Sequence, residues 1–446
     1  MTFPIKTKSF IAASLLSAFT LHHQEASATN LSLGADYRLR AISIEERLTT
    51  MPDSQYYEQR LQAYLITDLS KDVEATIRIQ SLSPWGLENS TSSLSTRYPD
   101  ANGDLWVQNA FVRMPNIWKD RITLTLGRQP LAWGDGLILS DDELGFNAVR
   151  AQIKSPFRWL PVELDVFSAK IKESLRINQD TDLHGAKVDF DRKSFHWEVM
   201  GLFETNKQVQ AYNAGASTIP FTASKIERNI YGARAKTRVK DAFIKGEYYI
   251  QEGEISRSTQ TAIKLGGDAW VIGLGANSRK TKFGRFGAIL EFMEGSGDDV
   301  ETSGDDEAFR PTFTSRWDGL ERKGMGRYFA STFSDVYSST SPFADASSIN
   351  DGLPEGTSGI QTIHFGVEAT PWAKWTFTFD YYTYKALKNL LGSKDLGTEF
   401  DYGFLFRYSG LVTLKGNLSD FRPGDAFDPT TKQDASFGSL EVDLHF

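Results

Sequence analysis

From residue 31 onward the chain repeats one pattern, in which apolar and polar side chains alternate residue by residue. LSLGADYRLRA sets Leu31, Leu33, Ala35, Tyr37, Leu39 and Ala41 against Asp36, Arg38 and Arg40. VEATIRIQ sets Val73, Ala75, Ile77 and Ile79 against Glu74, Thr76, Arg78 and Gln80. The last eight residues, SLEVDLHF, set Leu440, Val442, Leu444 and Phe446 against Glu441, Asp443 and His445. Side chains of an extended strand point alternately to opposite faces, so each stretch predicts a strand with one oily and one ionic side. No stretch of comparable length fits a helical period better. The pattern predicts eighteen strands, near 31–43, 55–68, 72–82, 104–115, 121–129, 146–154, 161–171, 182–190, 194–205, 226–238, 240–251, 262–277, 283–293, 358–371, 374–385, 396–408, 410–418 and 434–446.

The links between these strands alternate in length. Strands 2 and 3 are joined by little more than DLSKD, 8 and 9 by DRK, 14 and 15 by PWA, and 16 and 17 by one Ser-Gly pair. In contrast, 83–103, 130–145, 206–225, 252–261, 294–357 and 419–433 are long. Tight turns at one rim, long loops at the other and an even strand count describe an all-β, transmembrane, antiparallel up-and-down barrel with long extracellular loops. Lipid offers no partner to a free N–H or C=O, so a sheet crosses a bilayer only when closed on itself. The oily faces are then expected against lipid and the ionic faces around a wet interior. A secreted propeller would also alternate, but its blades repeat about every forty residues, and this sequence has no such repeat.

Composition sharpens the picture. Lys6 and Lys8 precede a short apolar run, FIAASLLSAFTL, and Ala26-Ser27-Ala28. This is the layout of an export signal, with cleavage expected after Ala28 and residues 29–446 forming the barrel. No later run is long and apolar enough for a membrane helix. The 30 Phe, 16 Tyr and 10 Trp suit the aromatic girdles of a barrel at its two interfaces. There is no cysteine, which excludes thiolate metal sites, a cysteine nucleophile and disulfides. The formal charge of −8 argues against nucleic acid as a partner.

Several stretches resemble the alginate-export family of outer-membrane barrels. LTLGRQPLAWGDG (124–136) is similar to that family's Gly-Arg-Gln strand followed by an aromatic and Gly-Asp; LGFNAVRAQIK (144–154) falls where the family has an aromatic and Val-Arg. KGEYYIQEGE (245–254), GSGDDVETSGDDEAFRPTF (295–313), GTEFDYGFLFRY (397–408) and FRPGDAF (421–427) follow in the family's order. Pro130 stands where the family usually carries an acid, so any role of that acid is not carried over. The resemblance implies a monomeric eighteen-stranded barrel in the bacterial outer membrane that passes an anionic, alginate-like polysaccharide, with periplasmic export partners. A porin taking up small anionic or sugar nutrients is the alternative. An outer-membrane barrel enzyme is a third reading, although neither a Gly-x-Ser-x-Gly elbow nor a His-Glu-x-x-His motif is present.

Passage of a polyanion calls for inward cations, because a narrow low-dielectric channel focuses positive potential. Strand parity puts Arg38, Arg40, Arg60, Arg78, Arg150, Lys154, Lys245, Arg407 and Lys415 on the inner face. In YGARAKTRVK, Arg234, Lys236, Arg238 and Lys240 follow one another on the inner side with no local acid beside them on the strand, a basic ladder. By the same parity Asp36, Glu58, Glu74, Glu247, Glu399, Asp401, Glu441 and Asp443 also point inward, as partners that hold the wall open. Arg128 joins the pore-lining candidates, although it shares the parity of Leu124 and Leu126; either a bulge re-aims it or a place at the rim beside Asp135, the preferred reading, resolves the conflict. Trp133 reads as an interface anchor. The segment 294–357, with acids at Asp298, Asp299, Glu301, Asp305, Asp306 and Glu307, reads as a solvated loop, with Ca²⁺ binding through its carboxylates as the alternative, and its length suits a lid or partial plug. No spacing implies a bound metal or other cofactor.

Overall fold

The computed structural model describes residues 30–446 except 46–53, 86–104, 142–143, 156, 158, 173–179, 208–209, 213–220, 258–260, 279–280, 300–304, 312, 314–324, 330–352, 355, 391 and 430–433. The expected export signal lies outside the described residues. Eighteen strands build the wall. The first nine are β1 (Asn30–Glu45), β2 (Ser54–Ser70), β3 (Val73–Pro84), β4 (Leu105–Asn116), β5 (Ile122–Gln129), β6 (Phe146–Lys154), β7 (Val162–Lys172), β8 (Thr181–Arg192) and β9 (Phe195–Asn206). The rest are β10 (Phe221–Val239), β11 (Ala242–Arg257), β12 (Asp268–Asn277), β13 (Arg285–Gly295), β14 (Thr357–Trp372), β15 (Trp375–Asn389), β16 (Asp395–Arg407), β17 (Val412–Pro423) and β18 (Ala435–His445).

Each strand pairs antiparallel with the next, and β18 returns to pair with β1 from Asp36↔His445 to Glu45↔Ser436. The sheet is closed. At the seam the Ala35 N–H donates to the Phe446 carbonyl at 2.6 Å, and the Phe446 N–H donates back to Ala35 at 2.9 Å. Parity separates the two faces as the alternation requires: Leu31, Leu33, Val149, Ile244, Ile272 and Leu440 are exposed on the outside, while Arg38, Arg40, Glu441 and Asp443 are buried on the inside. No helix among the described residues is long and apolar enough to cross a membrane.

Two features depart from the alternation. The stretch expected as one strand over 262–277 is broken: Ile263–Leu265 is a separate short strand on β11, and it pairs in parallel with Asp305–Asp306. Gly267 makes the break at φ +112°, and a Cβ there would meet the Glu307 carbonyl at 2.7 Å, so only glycine lets that segment approach so closely. The interior is also not ionic throughout. Toward the long-loop rim the inward positions become apolar (Phe146, Met200, Leu202 and Ile230), and among the described residues parts of two connections fold in to cover them. Residues 130–145 bring Leu131, Trp133 and Leu137–Leu139 into this inner core, and the connection after β13 brings Phe309, Phe313 and Met325–Phe329.

Candidate functional site in the barrel lumen

The inner wall carries a belt of alternating charge, built by cross-strand neighbours. Arg234 on β10 lies opposite Glu198 of β9 and Glu247 of β11. Its Nε donates to Glu247 at 3.0 Å, Glu198 is 3.8 Å away, and its remaining amine donates to Asp135 of the inward-folded 130–145 connection. Lys245 on β11 reaches the other oxygen of Asp135 at 3.0 Å and Glu291 of β13 at 2.5 Å. That last pair spans β12, which stands between them. Gly273 makes the contact possible, because a Cβ there would lie 2.9 Å from Cε of Lys245 and 3.3 Å from Cγ of Glu291.

The belt continues through a residue the sequence reading passed over. His364 on β14 is almost fully buried, with Nδ1 2.8 Å from Glu291 and Nε2 2.8 Å from Asp380. An ionised carboxylate only accepts hydrogen bonds, so an imidazole held at both nitrogens by carboxylates carries both protons and is a fixed cation. On the other side, Lys187 donates to Glu198 at 2.9 Å and to Asp189 at 3.1 Å. Among the described residues, Asp135 is the member of this belt supplied by a loop. Burial pushes its carboxyl up, but Lys245 and Arg234 outweigh that and hold it at about 2.

The four cations of the expected ladder therefore have separate surroundings. Arg234 is compensated by three acids from neighbouring elements, which the single-strand reading missed because cross-strand neighbours lie closer than residues two apart on one strand. Lys236 is half-buried, with its ammonium 5.0 Å from the Phe243 ring. Arg238 is exposed near the short-turn rim, and Lys240 forms the turn itself at φ +57°.

The other candidates sit elsewhere on the inner face. Glu58 accepts from Arg40 at 2.8 Å and Arg38 at 3.2 Å; Lys415 binds Glu441 and Asp443; His445 contacts Asp36 at 2.6 Å. Arg150 makes a two-pronged pair with Asp165 at 2.9 and 2.7 Å, and Glu74 pairs with Arg113. Arg78 lies over the Tyr64 ring, Arg60 stands opposite Arg38 in register, and Lys154 and Arg407 are exposed toward the short-turn rim. Glu399 and Asp401 are buried on β16. Glu399 accepts the backbone N–H groups of Arg327 at 2.5 Å and Tyr328 at 2.9 Å, and so binds the inward segment to the wall.

Arg128 and Trp133 are corrections. Register sets Arg128 opposite Asn147 and Ala110, and its guanidinium grips the carbonyls of Gln108 and Leu144 rather than Asp135. The carbonyls left bare where β4 and the 130–145 connection leave the ladder provide its partners. Trp133 is 1% exposed and is not an interface anchor. Its Nε1 donates to Asp165 at 3.1 Å and its ring meets Phe167 edge-on.

A closed sheet with an oily exterior, a charged interior and loops folded into its mouth defines a porin-like β-barrel of the bacterial outer membrane. Among solved structures, the chain is similar to OccK11 (OpdR) of Pseudomonas aeruginosa, with a TM-score of 0.57 at 10% identity over 95% of this chain and 98% of that one. It is likewise similar to OccAB4 of Acinetobacter baumannii, with a TM-score of 0.56 at 10% identity over 95% and 100%. At such identity the likeness is one of fold. No curated protein matches the sequence. Residues 29–328 match the family described as alginate export, and the chain belongs to that family.

Proposed function

We propose that this outer-membrane channel passes an anionic saccharide, an alginate-like polymer in the leading reading, with Arg234 and Lys245 receiving its carboxylates. The observation that carries the reading is the seat of Asp135. A loop carboxylate rests on two wall cations at once, and a sugar carboxylate is the same chemical group. Family membership supports a polymer as cargo. The two connections folded into the lumen favour the second reading, uptake of a small anionic or sugar solute, because a short molecule needs less displacement of those loops than a threaded chain. In either reading the short turns face the periplasm and the long loops the exterior.

Efflux from liposomes separates these readings. Vesicles bearing the barrel and loaded with fluorescent uronate oligomers are expected to release them faster than neutral oligomers of equal length. Replacing Arg234 and Lys245 together with Ser is expected to remove that preference. Equal release of neutral and charged oligomers would refute the anionic reading. A sharp cut-off after two or three sugars would select the small-solute reading.

A further inference from the structure

A second constellation lies on the inner face beside the β8–β9 turn, apart from the belt's loop-bound cations. Asp189 and Asp191 of β8 stand in register opposite Glu198 and His196 of β9. The four form a two-by-two array of metal-ligating side chains, and a cavity of about 440 Å³ opens onto Asp189, Asp191 and His196. We propose that this corner is a binding site for a divalent transition-metal ion of the Zn²⁺ class, with His196 Nδ1, Asp189 Oδ1 and Asp191 as protein ligands.

The distances separate this histidine from one that serves as an ion-pair partner. His364 is clamped at 2.8 Å to each of its carboxylates. His196 Nδ1 lies 3.4 Å from Asp189 Oδ1 and 3.9 Å from Asp191 Oδ1. Donors about 2.0–2.2 Å from a tetrahedral zinc are about 3.3–3.6 Å from one another. The Asp189–His196 spacing is already of that size, and Asp191, 3.9 Å from Nδ1 with a side chain 77% exposed, joins by rotating toward the histidine.

The surroundings fit as well. His196 Nε2 faces Glu198 Oε1 at 3.2 Å, and a histidine that ligates a metal commonly gives its other N–H to a carboxylate, which fixes the tautomer. Lys187 holds Glu198 Oε1 and the second oxygen of Asp189, Oδ2, leaving Oδ1 toward His196. The ammonium thus steadies two carboxylates without occupying the corner. One nitrogen with two carboxylates and open positions for water suits Zn²⁺, Ni²⁺ or Cu²⁺ better than Mg²⁺, which prefers an all-oxygen shell. The site does not depend on what the channel carries.

Calorimetric titration of the refolded barrel in detergent with ZnCl₂ tests the site. One Zn²⁺ per chain at micromolar affinity is expected, with no binding of Mg²⁺. His196→Ala is expected to weaken zinc binding at least tenfold, and Asp191→Asn, a change at an exposed position, at least threefold. If the wild-type barrel takes up no zinc at 100 µM, or if both variants bind it as the wild type does, the site does not exist. Because Asp191→Asn leaves the packed wall untouched, misfolding of the histidine variant alone does not shelter the proposal.

Discussion

A single loop carboxylate tells most about what the lumen is able to bind. Asp135 is the acid that Arg234 and Lys245 share, so Asp135→Asn should free one position on each cation for an incoming anion. Block of ion current by uronate oligomers is expected to tighten about tenfold, the effect of roughly 1.4 kcal/mol gained at a cationic site; unaltered block would disconnect Asp135 from the anion path. Its carboxyl is held at about 2, below the ordinary value, so its ionic contacts are complete above the ordinary value and disappear only as pH falls through the depressed one. Read with a sulfated oligosaccharide, which stays anionic in acid, the difference between wild type and variant should therefore persist at pH 4 and close toward pH 2. His364→Ala should be severe for another reason. It leaves Asp380 and Glu291 buried without their shared cation, a loss of about 3–5 kcal/mol, to be read as a lowered urea midpoint in lipid vesicles. At this scale parity was a good guide to which face a charge occupies, and a poor one to what it meets there. Arg234 read as uncompensated because its acids come from β9, β11 and a loop; His364 sits between Ile363 and Phe365 as one more polar residue of an alternating strand and gave no signal.

Elements explain where the two inward connections hold. Gln251 of β11 donates to the carbonyls of Gly266 and Ala308 and accepts from the Arg310 N–H. Tyr328 stacks on Phe421 at 3.5 Å, and Phe313 forms a bridge with Leu139 of the other connection. The two loops thus brace each other as well as the wall. Glu399 accepts two backbone N–H groups of the 325–329 segment, so Glu399→Ala should free it and raise single-channel conductance at least twofold. A conductance equal to wild type would remove that segment from control of the pore. The alternation revealed the strands well, because a half-buried strand declares its period. It said little about the connections, where burial of Leu131, Trp133 and Phe309 depends on tertiary contacts no local period encodes. The metal-ligating corner lies between these cases: DFDRKSFHWE places Asp-x-Asp and His-x-Glu on the two arms of one hairpin. Its spacing is visible once the arms are paired.

At the scale of the whole molecule, closure is the organising fact. Eighteen strands meet themselves between β18 and β1, the oily residues form the outer band, and opposite charges bridge strand to strand across the inner wall. Such pairing lets a barrel carry many ionised groups at membrane depth without leaving buried charges bare. It also means that an anion enters by exchange with a resident carboxylate instead of meeting a uniformly positive tube. Current through single barrels in planar bilayers tests this most directly. Stepwise conductance is expected, blocked by micromolar uronate oligomers and indifferent to neutral oligomers of the same length. Absence of conductance steps, or equal block by charged and neutral sugars, would contradict it.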